Sequence, residues 1–130
     1  NTRGLMSNGT YVATTGTAAN LYMTSAGDVF RSTSAKKYKE DIKTLTDEDL
    51  SRFMQLRGVS YKSKAPADDP SARFIGMIAD EADELGLKEL VVYGDNGEVE
   101  GFQYDRCVAL LLEVVKHQNE RIDLLEKKAE

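Results

Sequence analysis

From Arg106 to Glu130 the chain contains neither glycine nor proline, and its apolar residues return at alternating steps of three and four. Val108, Val115 and Ile122 hold one position of this repeat, and Leu111, Gln118 and Leu125 hold the other. A heptad of that kind predicts an α-helix whose narrow apolar seam lies against another helix. Arg121 and Glu126 flank the seam with opposite charges, as interhelical pairs require. Asp105 is placed to cap the helix, which gives a coiled-coil segment over about residues 105–130. Leu110, Leu112 and Val114 widen the first two turns, so that end is expected to pack against its own chain. Periodicity leaves two outcomes open: self-association through the seam, or an ordinary amphipathic helix on a monomeric core. β-branched residues paired with Leu favour two strands in an isolated parallel coil.

The opening of the chain is of another kind. Arg3 and Asp28 are the only charged residues among the first 30; all other charge lies beyond them. Thr, Ser, Gly and Asn dominate, and the alternations Tyr11–Thr14 and Leu21–Thr24, interrupted by Gly9, Gly16 and Gly27, predict short strands joined by turns. So little apolar surface cannot close a core within one chain. Such a segment needs partners, as in an intertwined β-rich stalk where several chains share one core. The competing reading is a flexible end.

Between these ends the pattern is mixed. Thr46 followed by Asp49 fits a capping box ahead of Leu50, Phe53 and Met54, in a helix ending near Gly58. Val59-Ser60-Tyr61 alternates like a strand, and a polar loop follows through Pro66 and Pro70. Phe74 to Ile78 reads as a buried strand feeding a short acidic helix, Asp80 to Leu85, stopped by Gly86. Leu90–Tyr93 and Glu98–Phe102 flank Asn96-Gly97, a strong hairpin signal. The fold class is therefore α+β: a small mixed unit with a β-hairpin and a long C-terminal coil-forming helix, preceded by a short β-rich segment.

Composition removes most chemistries. A chain of 130 residues, 41% hydrophobic and 30% charged, suits one domain or a small domain with an appendage. Its net charge of −5 argues against a broad basic nucleic-acid surface. No apolar run approaches the roughly 20 residues needed to cross a bilayer, so no membrane partner is expected, and no signal peptide is expected either. The single cysteine, Cys107, reads as core, and the single histidine, His117, as a surface residue, so a Ser-His-Asp triad has little support. Asp80, Glu81, Asp83 and Glu84 read as a solvated helix face without calcium-loop spacing, and neither metal nor cofactor is expected.

Ser34 and Lys39 remain. A serine can be activated by a neutral lysine amine in place of histidine. An ordinary lysine, with a pKa near about 10.4, keeps its proton at neutral pH, so desolvation or nearby cations must favour the neutral form. Lys36 and Lys37 supply cations, and burial in an oligomer interface would supply desolvation. The spacing alone says little in a chain this rich in Ser and Lys.

The surroundings say more. Ser34-Ala35-Lys36-Lys37-Tyr38-Lys39-Glu40-Asp41-Ile42 resembles the opening motif of the intramolecular chaperone domain of endosialidases and other phage tail spikes and fibres, peptidase family S74. The family has a serine, a basic residue three later, a lysine five later and then Asp-Ile; Ser34, Lys37, Lys39, Asp41 and Ile42 match. Leu56–Tyr61 is similar to its leucine-x-x-valine-x-tyrosine strand, and Phe74–Glu81 to its glycine-phenylalanine-isoleucine-alanine-glutamine-glutamate segment. Tyr104–Leu111 is similar to its tyrosine-aspartate-x-leucine-valine-alanine-leucine-leucine helix start. Ala35 stands where the family usually has Ser or Asp, and Met77 and Asp80 replace its commoner residues.

The resemblance implies a homotrimeric assembly factor, residues 34–130, fused to the end of a viral spike or fibre, residues 1–33. It implies Ser34 as nucleophile, Lys39 as general base, cleavage between Thr33 and Ser34, and supporting places for Lys37, Asp41 and Glu81. The partners would be two further copies and the passenger stalk, with the passenger ending in the virion and the released chaperone in the host cytoplasm. Two alternatives stand beside it. One is an oligomerisation module without proteolysis; the other is the related domain of membrane-tethered transcription factors such as myelin regulatory factor. The Thr/Gly-rich upstream segment and the lack of a membrane span favour the viral fibre.

Overall fold

The computed structural model describes residues 4–130; residues 1–3, the start of the expected stalk, lie outside the described residues. The chain divides into two compact units, Asn1–Asp41 and Ile42–Glu130.

In the first unit Ser7 caps a short helix, α1 (Asn8–Val12), by accepting from the Thr10 amide at 3.2 Å. This corrects the strand expected at Tyr11–Thr14: an N-cap serine offers the backbone a local partner that isolated alternation cannot match. The expected strand at Leu21 does form, as β1 (Leu21–Met23), antiparallel to β2 (Val29–Arg31) with Tyr22 opposite Phe30. Thr24 N–H donates to Asp28 O at 2.9 Å, and Gly27 closes the turn at φ 90°, a conformation open to glycine. No described residue of this unit is buried, as its scarce apolar surface requires. Leu21, Tyr22, Met23, Val29 and Phe30 all remain exposed.

The second unit is α+β. Helix α2 (Asp47–Phe53) opens with the capping box read from the sequence: Thr46 Oγ1 accepts from Asp49 N–H, and Asp49 Oδ2 accepts from Thr46 N–H. These bonds hold the Asp49 carboxyl below its ordinary pKa, the Thr46 amide contributing most. Strand β3 (Val59–Lys62) pairs antiparallel with β4 (Arg73–Gly76), and Tyr61 stacks on Phe74 with centroids 5.8 Å apart. β4 is not the buried strand expected. It pairs with β3 alone, and Ile75, opposite Ser60 on the uncovered face, is 87% exposed.

Helix α3 (Ala79–Glu84) ends before Gly86, which takes φ 78° as a helix-stopping glycine does. The expected hairpin forms from β5 (Val91–Tyr93) and β6 (Val99–Phe102), with a register shift at Val92/Tyr93 and Gly97 at φ 80°. Leu90 belongs to a preceding 3-10 turn instead of the strand. Helix α4 (Cys107–Ala129) follows a 3-10 turn at Tyr104–Arg106. Asp105 therefore lies inside that turn and does not cap the helix; carbonyls of the turn already receive the first amides.

Leu50, Phe53, Ala82, Leu87, Leu90, Val91, Cys107, Leu110 and Val114 form the core. Leu110 and Val114 thus bind α4 to its own unit as expected, but Leu112 does not; it is 58% exposed. The seam residues Val108, Leu111, Val115, Ile122 and Leu125 are exposed as well. Tyr104 fastens the start of α4 to the end of β4: its hydroxyl accepts from Met77 N–H at 2.9 Å and donates to Met77 O at 3.3 Å.

Candidate active site

The segment after β2 is built to bring a lysine back onto a serine. Ser32 N–H donates to Asn20 O at 2.6 Å, the last rung of the hairpin. Ala35 is extended, and residues Lys36–Tyr38 make one 3-10 turn closed by Tyr38 N–H to Ala35 O and Lys39 N–H to Lys36 O, each 3.0 Å. Lys39 then leaves the turn extended (φ −127°, ψ 145°). The outcome is a hydrogen bond from Lys39 Nζ to Ser34 Oγ at 2.9 Å. Both residues are exposed to solvent in the single chain.

Among the described residues, neither Thr33 nor Ser34 takes part in a backbone–backbone hydrogen bond. The peptide bond between them sits between the hairpin's last rung and the 3-10 turn. Its carbonyl can become tetrahedral without breaking secondary structure.

The other residues singled out by sequence fall into separate places. Lys37 Nζ lies 5.1 Å from the centroid of the Tyr38 ring, so part of its charge faces an aromatic surface. Asp41 adopts φ 49°, the only positive φ outside glycine among the described residues. Sequence reading gave Asp41 no conformational role; its place two residues after Lys39 and before Ile42 was the available signal. Glu81 belongs to the second unit, where its Oε1 accepts from Arg57 Nε at 2.7 Å while Oε2 is buried without a partner.

The acidic helix is not a plain solvated face, which corrects that expectation. Asp83 Oδ1 receives both the Tyr93 hydroxyl and Lys88 Nζ, the latter at 2.9 Å. Tyr93 first and Lys88 second hold the Asp83 carboxyl below its usual pKa, and the bond to Asp83 raises Tyr93. These groups sew α3 to β5. No set of three or more His, Cys, Asp or Glu among the described residues converges as a metal site would require. Cys107 is buried, and desolvation pushes its thiol pKa up, away from nucleophilic use. His117 is exposed, with Nε2 3.5 Å from Asp47 Oδ1.

No helix of the described chain is long and apolar enough to cross a membrane. No curated protein matches the sequence. A family model described as chaperone of endosialidase, Peptidase_S74, matches residues 34–92. The match opens on Ser34 itself and runs into β5, and it supports a chaperone role in phage tail protein assembly. Over residues 34–92, less than half of the chain, the sequence is similar to the chaperone of endosialidase family.

Proposed function

We propose that residues 34–130 are an intramolecular chaperone that assembles three copies of a viral spike or fibre and then frees itself by cutting between Thr33 and Ser34. The reading rests first on one contact, Lys39 Nζ to Ser34 Oγ at 2.9 Å, made by the residue that opens the family match. Once the lysine amine is neutral the same contact carries a proton the other way, from Oγ to Nζ.

The chemistry follows from position. Ser34 Oγ attacks the Thr33 carbonyl carbon while Lys39 takes the hydroxyl proton. The tetrahedral centre collapses, the bond from Thr33 carbon to Ser34 nitrogen breaks, and Lys39 returns the proton to that nitrogen. An ester now joins Thr33 to Ser34 Oγ. Water hydrolyses it, leaving a Thr33 carboxylate and a chain that starts at Ser34. Nucleophile and electrophile are neighbours in one chain, so the attack has a high effective concentration.

The assembly half of the reading rests on the exposed seam of α4. Val108, Leu111, Val115, Ile122 and Leu125 are each at least 50% exposed, an apolar line that another helix would cover. Leu112 beside it widens the line, which suits packing against more than one neighbour better than a strict two-stranded seam does. Helices that gather three chains make registration of the upstream hairpins effectively intramolecular. The passenger would remain in the virion and the chaperone in the host cytoplasm.

A module without proteolysis is the second reading, favoured by the same exposed seam, which needs no dyad. Ser34→Ala and Lys39→Ala separate the two. Both should leave a full-length chain that still assembles, and Lys39→Arg should also fail to cut because guanidinium keeps its proton. Cutting of Ser34→Ala at the parental rate and at the same bond would remove the dyad and leave assembly alone.

A further inference from the structure

Lys39 Nζ lies 2.9 Å from Ser34 Oγ, and the cleavage proposed above uses Lys39 as its base. The lysine is not spent in that role. It takes the proton of Oγ, returns it to the departing nitrogen of Ser34, and stands unprotonated beside the ester it has helped to make. An unprotonated amine is itself a nucleophile toward acyl carbon. A carbonyl carbon bonded to Oγ falls within about 3.5 Å of Nζ, the separation from which attack begins. The local geometry singles out this amine. Lys37 Nζ lies over the Tyr38 ring, whereas the Lys39 side chain returns from the end of the 3-10 turn to Ser34. Both partners belong to the same compact unit, and among the described residues no backbone–backbone bond of Thr33 or Ser34 restrains the carbonyl between them.

We propose a second activity of the same site: transfer of the Thr33 acyl group from Ser34 Oγ to Lys39 Nζ, an intramolecular transamidation whose substrate is the chain's own ester. The Nζ lone pair bonds to the Thr33 carbonyl carbon, the bond from that carbon to Oγ breaks, and one Nζ proton passes to Oγ. No atom enters or leaves, so the product has the mass of the uncut chain. Thr33 is now joined to Lys39 through an isopeptide bond, and residues 34–38 become a free branch that begins with the Ser34 amine. Water and lysine thus divide the ester between release of the upstream segment and its retention. This transfer rests on the cleavage reading above and adds to it a fate that hydrolysis alone does not give.

The test uses the full chain, allowed to react and then separated under denaturing conditions. Material of parental mass is digested with trypsin and sequenced by tandem mass spectrometry. The expected product is the peptide Tyr38–Lys43, uncut after Lys39 and carrying Ser32-Thr33 on Nζ. It should reach no less than about one part in a hundred of the free fragment, because the amine is held at attack distance and water is not. Ser34→Ala should lose it. A parallel reaction with hydroxylamine reports the ester independently, by forming a hydroxamate at Thr33. Free fragments or the hydroxamate without the branched peptide overturn the transfer and leave the cleavage standing. Absence of fragments, hydroxamate and branched peptide alike removes the cleavage reading and the transfer together.

Discussion

Asp41 sits in the left-handed region two residues beyond Lys39. For most residues that conformation costs about 1–2 kcal/mol, and only Gly, Asn and Asp visit it readily. The turn that returns Lys39 to Ser34 thus ends on a backbone reversal that few side chains permit. Asp41→Asn and Asp41→Gly should cut at close to the parental rate, whereas Asp41→Val should slow cutting about ten-fold, measured by fragment appearance on a denaturing gel. At this scale the sequence was only partly legible. Ser34 and Lys39 five residues apart are unremarkable, and the neighbouring Lys37, Asp41 and Ile42 singled them out. The 3-10 turn that joins the pair carries no periodic signature, so its geometry could not be read beforehand.

Among the elements, those with strong local chemistry were the legible ones. The Thr46/Asp49 box, Gly86 after α3 and Asn96-Gly97 in the hairpin are each short-range codes, and each forms where its residues stand. Tyr11–Thr14 and Phe74–Ile78 were misread for opposite reasons: a capping serine overrode alternation in one, and the lack of a third strand left the other uncovered. Thr46→Ala should cost about 1 kcal/mol in the urea unfolding of the second unit. Because the Asp49 and Asp83 carboxyls are held below their unfolded pKa, their contribution is present above about pH 4 and is lost as pH falls through the folded values. Acid titration of the same unfolding curve should show that loss, reduced in Thr46→Ala. Tyr104→Phe, which takes the partner from the Met77 amide, should cost about 1 kcal/mol and free the start of α4. Faster alkylation of Cys107, buried one turn away, should report that opening.

For the whole molecule, charge and exposure divide the labour. The first unit is uncharged over most of its length and buries none of its described residues, while the second closes a core and leaves an apolar line along α4. Heptad spacing alone leaned toward two strands, and the exposed Leu112 is what the pattern could not display, because its burial depends on tertiary packing. Ile122→Asp should shift sedimentation toward the 14.4 kDa monomer, since carboxylates from every chain would converge in one apolar layer. On the proposed reading, a helix that gathers chains and a dyad that cuts upstream of it would make a device that acts once per chain. Intact mass measured under denaturing conditions, after the assembled chain has stood at mildly alkaline pH, tests that claim most directly. Two species dividing between Thr33 and Ser34, with Ser34 as the new N-terminus, are the result predicted; one unbroken chain, assembled yet uncut, would contradict it.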